Sequence, residues 1–296
     1  MLKKKEVDEK IAQGIEKLYQ ELQEGKTENL EKVFQLAGKT RYSANNLALI
    51  FSQCPWASTL YTYPAWAKKG YKVVKKGAIY IYQPRPYKQE ITDKNGNETG
   101  ETETKMWYKL IPMFDISQVI KVDENAPDIN PNVFAVSSGT SLLQMEGEYQ
   151  EEYDRIRGII VNDGIRVKET KVILGRPSCE GASFGGLILT KEQSSGNMLV
   201  ALIHEWAHEK LHSGSENKAF STQHKECQAE AVAYIVCSAI GIHSPFSKDY
   251  ILGWGNTVED FKKNLDYIVK TSKYMLGKIQ VQIDEEKNNE EVEEIA

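Results

Sequence analysis

The sequence predicts an α+β fold divided into two domains. At 296 residues the chain is long enough for two parts that each bury a core. Both parts contain helical periodicity as well as alternating, β-branched segments. The net charge of −5 is divided unevenly, because residues 1–122 carry a balance of +6 and residues 123–296 carry −11. This asymmetry predicts two parts with different partners.

The first predicted domain, residues 1–122, combines helices with strands. Helical periodicity covers residues 5–24, 27–38 and 45–51. Alternating and β-branched stretches predict strands at Tyr71–Val74, Ala78–Tyr82 and Met106–Pro112. The polar segment Asp93–Thr104 contains an Asn-Gly pair and predicts a hairpin tip or a long loop. Two prolines within Asp123–Asn132 mark the boundary that follows.

The second predicted domain, residues 133–280, begins with a helix within 138–162 and closes with an amphipathic stretch over 258–278. Strands are predicted at Arg166–Leu174 and Gly186–Leu189. The latter suggests an edge strand that holds an extended substrate, although an ordinary core strand has the same pattern. The acidic residues 281–296 predict a disordered tail.

The stretch His204-Glu205-Trp206-Ala207-His208 predicts a metal site. On a helix, His204 and His208 lie one turn apart on the same face, so both imidazoles can reach one cation. Thr190–Gln193 predicts a capping box that starts this helix, and Ser213-Gly214 predicts its end. Glu205 lies about 100° around the helix, which suits a general base better than a metal ligand.

A catalytic zinc site uses three protein ligands and one water, so a third ligand is expected downstream. Glu226 and Glu230 lie on one stripe of the next predicted helix, which is rich in small apolar residues. We prefer Glu230, which lies deeper in that helix, and this choice leaves Glu226 to orient a histidine. His212 continues the histidine stripe and is interpreted as an outer or surface residue. Gly214 stands where a metzincin would need histidine, which excludes that subclass.

Residues 41–89 contain eight basic side chains, ten aromatic ones and no acidic one. Binding of single-stranded nucleic acid needs this combination, because cations follow the phosphates and rings stack on unpaired bases at roughly 1–3 kcal/mol each. The alternative is that most rings belong to the core and the lysines form a solvated face, but such faces usually mix both signs of charge. The candidate DNA contacts are Arg41, Tyr42, Asn46, Trp66, Lys68, Lys69, Lys72, Lys75, Lys76 and Arg85.

Cysteine usage and the N-terminal sequence predict a cytoplasmic protein without a membrane partner. The four cysteines form no Cys-x-x-Cys pair and no secreted framework, which favours a reduced compartment. The opening Met1-Leu2-Lys3 leads into a charged, helix-like segment rather than a signal peptide. No apolar run approaches the roughly 20 residues that span a bilayer.

The two halves together resemble the ArdC-type antirestriction proteins of plasmids and other mobile elements. The N-terminal likeness rests on three segments, which are Tyr42–Ile50, Trp66–Gly77 and Phe114–Gln118. The C-terminal likeness rests on four residues, which are His204, Glu205, His208 and Glu230. The resemblance implies a single-stranded-DNA-binding domain joined to a zincin-like metallopeptidase domain related to the ImmA/IrrE family. It also implies a role in protecting incoming DNA from restriction.

We therefore expect a protein that binds single-stranded DNA and hydrolyses an unidentified protein or peptide. Zn²⁺ is expected at His204, His208 and Glu230, with Glu205 acting as general base and then as proton donor to the leaving amine. Two alternatives remain open. One is a DNA-coating protein whose zinc site is structural or vestigial, and the other is a regulator that cleaves a repressor.

Overall fold

The computed structural model describes residues 4–92, 98–129, 149–175, 178–213, 221–242 and 257–295. The helices are α1 (Lys4–Gln23), α2 (Glu28–Lys39), α3 (Ala44–Gln53), α4 (Tyr63–Lys68), α5 (Gln150–Asn162), α6 (Ser195–His212), α7 (Thr222–Ala239) and α8 (Val258–Ile295). The strands are β1 (Leu60–Tyr61), β2 (Tyr71–Val73), β3 (Ile79–Thr92), β4 (Glu98–Asp115), β5 (Val119–Lys121), β6 (Arg166–Thr170), β7 (Gly181–Ser183) and β8 (Leu187–Lys191). The mixture of helices and strands confirms the predicted α+β class. Among these residues, no helix is both long enough and apolar enough to cross a membrane.

The chain forms two compact units. Unit 1 comprises Met1–Ile11 and Ala48–Pro131, and unit 2 comprises Ala12–Leu47 and Asn132–Ala296. The predicted first domain is residues 1–122, whereas unit 1 leaves out residues 12–47 and extends to Pro131.

Packing of α2 against α7 explains why this N-terminal segment joins unit 2. Gly38 allows the two helices to approach closely, because a Cβ there would lie 3.1 Å from the Ile235 carbonyl oxygen and 3.2 Å from the Ala239 Cβ. The Gln35 Nε2 donates to the Tyr234 hydroxyl at 3.2 Å. The charge balance along the chain could not predict this helix contact, because the contact residues of α2 and α7 are uncharged.

Unit 1 contains a long antiparallel ribbon made of β3 and β4. The strands pair from Ile79 opposite Met113 to Thr92 opposite Glu98. The predicted loop or hairpin tip over Asp93–Thr104 is therefore wrong for residues 98–104, which lie in β4, while residues 93–97 lie outside the described residues. β-Branched threonines recur in this part of β4 and favour the extended conformation despite its polarity.

The core of unit 1 surrounds Trp66, which is fully buried and belongs to one cluster with the buried residues Tyr71 and Ala126. Its indole N–H donates to the Phe114 carbonyl oxygen at 2.8 Å. The adjacent Asp115 carboxylate accepts hydrogen bonds from the Ser58, Thr59 and Ser117 amides. These contacts give the Phe114–Gln118 segment a structural role.

Unit 2 contains a three-stranded sheet in the order β6-β8-β7. β6 runs parallel to β8, and β7 runs antiparallel to it. The two predicted strands are confirmed, although the first ends at Thr170. The expectation that the strand preceding the histidine helix lies at an edge is wrong, because β8 is central and the short β7 lies at the edge instead.

Helix α6 begins four residues later than its predicted capping box. Thr190 and Lys191 lie in β8, and Ser194 is the N-cap of the helix. The Thr190 side chain is buried and shares a hydrogen bond of 3.1 Å with the Tyr153 hydroxyl. The helix ends at His212 with Ser213 as its C-cap, which confirms the predicted end.

Helix α8 runs to Ile295 and replaces the disordered tail predicted for residues 281–296. Its apolar stripe continues beyond residue 278, because Ile279 and Ile283 are both buried. Glutamate and lysine, which favour helices, dominate the segment that follows.

A buried carboxylate at the end of α5 connects three helices of unit 2. The Asp163 side chain is 5% exposed and contacts the Lys210 Nζ at 2.6 Å and the Lys278 Nζ at 3.1 Å. The Tyr274 hydroxyl also donates to it. Burial alone would raise the pKa of Asp163, but the hydrogen bonds from Lys210, Tyr274 and Lys278 outweigh burial and lower that pKa.

Replacing Asp163 with asparagine is expected to lower the free energy of unfolding by about 1–3 kcal/mol, because two lysines lose their carboxylate and are only partly exposed. Urea unfolding at neutral pH measures the change. Asp154→Asn on the exposed side of α5 is the matched control and should stay within about 0.5 kcal/mol. Because the folded pKa of Asp163 is lowered, its contribution is present above about pH 4 and is lost as the pH falls further. Equal destabilisation by the two variants would contradict this account.

Candidate metal centre

Two helices of unit 2 bring the candidate ligands together. His204 and His208 lie one turn apart on α6, and Glu226 and Glu230 lie one turn apart on α7. The remaining faces of both helices carry buried apolar residues, so packing in the core fixes the direction of these four side chains.

The atoms of His204, His208 and Glu226 converge on one point. The two Nε2 atoms lie 3.0 Å apart. The Glu226 Oε2 lies 3.4 Å from the His204 Nε2 and 3.3 Å from the His208 Nε2. One ligand atom from each residue falls within 4.8 Å of the others, which is the arrangement that a single cation requires.

Glu230 contacts the opposite nitrogen of the first histidine. Its Oε2 lies 3.4 Å from the His204 Nδ1, so it can hold this ring in place while the Nε2 faces the cluster. The preference for Glu230 as third ligand, with Glu226 as the orienting residue, is thus reversed by the geometry. The reason is that Glu226 lies one turn nearer the N-terminus of α7, at the level where the two Nε2 atoms meet.

The carboxylates control the charge of this site. Burial alone would lower the pKa of His204, but hydrogen bonds with Glu226 and Glu230 outweigh it and raise the pKa to about 9. Hydrogen bonds from His204 and His208 hold the pKa of Glu226 far below its ordinary value. In the metal-free site at neutral pH His204 is therefore positively charged, with a proton on both ring nitrogens. A bound cation would displace the proton on Nε2.

A chain of hydrogen bonds orients His208. Its Nδ1 lies 3.1 Å from the His212 Nδ1, and the His212 Nε2 lies 2.8 Å from the Gln228 Oε1. An amide oxygen only accepts, so the His212 Nε2 carries hydrogen and its Nδ1 accepts from His208. The Gln228 Nε2 then donates to the Asn264 Oδ1 at 2.6 Å. Burial lowers the pKa of His212 to about 4, which keeps it neutral and suited to this role.

Glu205 lies beside the cluster and against β7. Its side chain is buried, and a Cβ added to Gly181 would lie 2.6 Å from the Glu205 Cγ and 3.0 Å from its Oε1. Gly181 is thus required for the close approach of this strand to the carboxylate. A cavity of about 390 Å³ opens here, lined by Gly181, Glu205, His208 and Glu226 among others.

A second buried carboxylate holds the turn between β7 and β8. Glu209 accepts from the Ser183 hydroxyl at 2.6 Å and from the Gly185 and Gly186 amides at 2.8 and 2.7 Å. Both glycines have positive φ angles of +68° and +89°, which glycine adopts without strain.

Sequence reasoning missed Glu209, Gly181, Gln228 and Asn264, and only the glutamate inside an apolar helix offered a signal.

The predicted DNA contacts are distributed over both units. Trp66 and Asn46 are buried and are corrected to structural residues. Arg41 is exposed and Tyr42 half-buried, and both belong to unit 2. Six basic residues are exposed in unit 1 and stay predicted contacts, namely Lys68, Lys69, Lys72, Lys75, Lys76 and Arg85.

Comparison with known proteins indicates what this chain is similar to. No family model matches it. An uncharacterized protein of Bacillus anthracis is 27% identical in an alignment 334 positions long, which covers 98% of this chain and 55% of that protein. The chain therefore spans about half the length of this relative.

Two crystal structures of the antirestriction ArdC protein from R388 plasmid share the fold. The metal-free structure has a TM-score of 0.55 at 15% identity, and the Mn(II)-bound structure has 0.54 at 14%. Each alignment covers 92% of this chain and 97% of the ArdC chain. The predicted resemblance to ArdC-type proteins is thus confirmed at the level of the fold.

Gly181→Ala is expected to displace the Glu205 carboxylate and to lower the free energy of unfolding by about 1–3 kcal/mol through overpacking. Metal affinity should be unchanged, because the ligand atoms are not displaced. Gly158→Ala is the control, since a Cβ on this helical glycine meets nothing within 4 Å and should stabilise the protein by about 0.4–1 kcal/mol. Calorimetry and a zinc titration measure both effects. If Gly181→Ala were as stable as the wild type, the close approach would be wrong.

Substitutions of the two glutamates of α7 should separate their roles. Glu226→Gln is expected to lower Zn²⁺ affinity by more than about 100-fold, because it weakens a ligand. Glu230→Gln should cost about 10- to 100-fold, as for other residues that orient a ligand. Competition with a chromogenic chelator at pH 7.5 measures both affinities. A larger loss for Glu230→Gln would restore Glu230 as the ligand.

Proposed function

We propose that this protein is a metal-dependent hydrolase of the peptidase type that also binds single-stranded DNA and acts in antirestriction. The observation that carries the hydrolase proposal is the convergence of His204, His208 and Glu226, with Glu205 beside them. The ArdC-like fold supports the antirestriction role, and the exposed lysines of unit 1 support the binding of single-stranded DNA.

The donor set fits a divalent cation, and Zn²⁺ fits best. Two imidazole nitrogens and one carboxylate oxygen form a common catalytic zinc set that leaves a coordination position open. The Mn(II)-bound ArdC structure is in keeping with a divalent ion in this fold. When bound, the ion would lower the pKa of a water molecule and polarise a substrate carbonyl.

In this proposal Glu205 moves the proton. Its carboxylate lies in the wall of the same cavity as His208 and Glu226, yet it is separate from the converging ligand atoms. In the proposed mechanism it accepts a proton from the attacking water and returns it to the leaving amine. Glu230 holds the His204 ring from behind, and His212 holds His208, so both rings keep their Nε2 atoms directed at the site.

In this proposal the edge strand β7 holds the substrate backbone. Among the described residues it pairs with β8 alone, and Gly181 and Ser183 line the cavity next to Glu205. An extended peptide added along this edge would lie with its backbone beside the general base. The short side chains of Gly181-Ala182-Ser183 leave space for such a strand.

The DNA-binding part of the proposal rests on charge. The exposed lysines at the end of α4 and along β2, such as Lys68, Lys69 and Lys72, belong to a region without acidic residues between positions 41 and 89. Such a surface attracts phosphates. In an antirestriction role, a strand bound there would bring the hydrolase to incoming DNA.

Glu205→Gln is expected to lower the rate of peptide hydrolysis by about 10²- to 10⁴-fold while Zn²⁺ affinity is retained, because the carboxylate is a base and not a ligand. Cleavage of a degenerate peptide library, followed by mass spectrometry with and without a chelator, measures the rate. Glu180→Gln, which changes a neighbouring carboxylate outside the cavity lining, is the control and should keep wild-type activity. Hydrolysis that resists chelation, or a Glu205→Gln variant as active as the wild type, would contradict the mechanism. A zinc-loaded wild type that cleaves no peptide would favour a structural site.

A further inference from the structure

The β3–β4 ribbon of unit 1 has two faces of different chemistry. In an antiparallel pair, residues directly opposite each other point to the same face, and successive residues alternate between faces. The register places Lys109 opposite Gln83, Trp107 opposite Arg85 and Lys105 opposite Tyr87. One face therefore carries three cations and two aromatic rings. We call it the basic ribbon face, and it consists of Arg85, Tyr87, Lys105, Trp107 and Lys109.

The opposite face of the same segment is mainly apolar. Tyr108 lies opposite Pro84, and Met106 lies opposite Pro86. The Tyr108 ring packs edge-on against Tyr82, with centroids 6.2 Å apart. Lys88, opposite Thr104, is the cation of this face. The cations of the ribbon are thus concentrated on one side.

The basic ribbon face is open to solvent. Trp107 is 49% exposed and Tyr87 is 42% exposed. Arg85 and Lys109 are also exposed. An exposed indole ring that lies between two cations is the combination that surfaces for unpaired nucleic acid use.

We propose that the basic ribbon face binds single-stranded nucleic acid. This inference rests on the proposed DNA binding of unit 1 and names the surface that performs it. Arg85, Lys105 and Lys109 would contact phosphates, while Trp107 and Tyr87 stack on unpaired bases. Duplex DNA hides its base faces, so it can use the cations but not the rings.

The acidic residues of β4 limit the footprint. Glu101 and Glu103 lie between the basic segment and the distal end of the ribbon, where Thr92 pairs with Glu98. Glu103 forms an exposed ion pair of 2.8 Å with Lys105. An exposed pair of this kind is weak, so Lys105 stays available to a phosphate. The nucleic-acid strand should therefore cross residues 83–87 and 105–109 and avoid the distal end of the ribbon, where carboxylates repel its phosphates.

Two adjacent aromatic residues on β4 test the assignment of the face. Trp107→Ala is expected to weaken binding of the full chain to a labelled oligothymidylate of about 16 nucleotides by roughly 5- to 150-fold. Tyr108→Ala, which removes the 60%-exposed ring on the opposite face, should leave the affinity unchanged. Fluorescence anisotropy measures both, and thermal unfolding verifies that both variants fold. Equal losses in the two variants would overturn the proposal.

A pair of cations on β3 gives an independent test. Arg85→Gln should reduce the slope of log affinity against log salt by about 0.7, which is one released counterion on a single strand, whereas Lys88→Gln should not change it. The wild type should also prefer the single strand over the same strand annealed to its complement. Duplex preference would overturn the proposal while retaining nucleic-acid binding. A wild type that binds neither form would instead overturn the DNA-binding part of the proposed function.

Discussion

The packing of α6 against α7 is the constraint on which the site of unit 2 depends. Each helix carries one pair of candidate ligands one turn apart, and the two pairs meet because the apolar faces of both helices are buried. His204 and His208 then share one carboxylate, that of Glu226, at 3.4 and 3.3 Å. The two histidine side chains are largely buried, so their contacts with the carboxylate stabilise this packing.

The surrounding residues keep this small cluster in one geometry. Glu230 and His212 contact the outward-facing nitrogens of the two histidines, and Gln228 and Asn264 extend the support to α8. Glu209 holds the turn that positions β7. The sheet edge, Glu205 and the candidate ligands thus belong to one packed unit, while Arg85, Tyr87, Trp107 and the exposed lysines between Lys68 and Lys76 lie on unit 1. The charge difference along the sequence follows this division only in part, because residues 12–47 belong to unit 2.

Local spacing predicted much of this arrangement, and long-range packing decided the rest. The His204–His208 spacing predicts a site because helical geometry places both rings on one face. The same reasoning found Glu226 and Glu230 but preferred Glu230 as the ligand, whereas Glu226 is the one that converges with the histidines, since spacing within α7 does not tell which turn lies level with α6. Composition also assigned Trp66 to DNA although it is a core residue. Composition did not identify Trp107 as a candidate DNA contact, because this residue lies outside residues 41–89. The register of the ribbon places Trp107 opposite Arg85.

The site itself is tested most directly by anomalous diffraction at the zinc absorption edge from crystals of the zinc-loaded protein. We expect one ion bound by the Nε2 atoms of His204 and His208 and by the Glu226 carboxylate, with Glu230 on the His204 Nδ1 and no fourth protein ligand. An ion held by Glu230 with Glu226 turned away, a fourth protein ligand, or no ion at this position would contradict it.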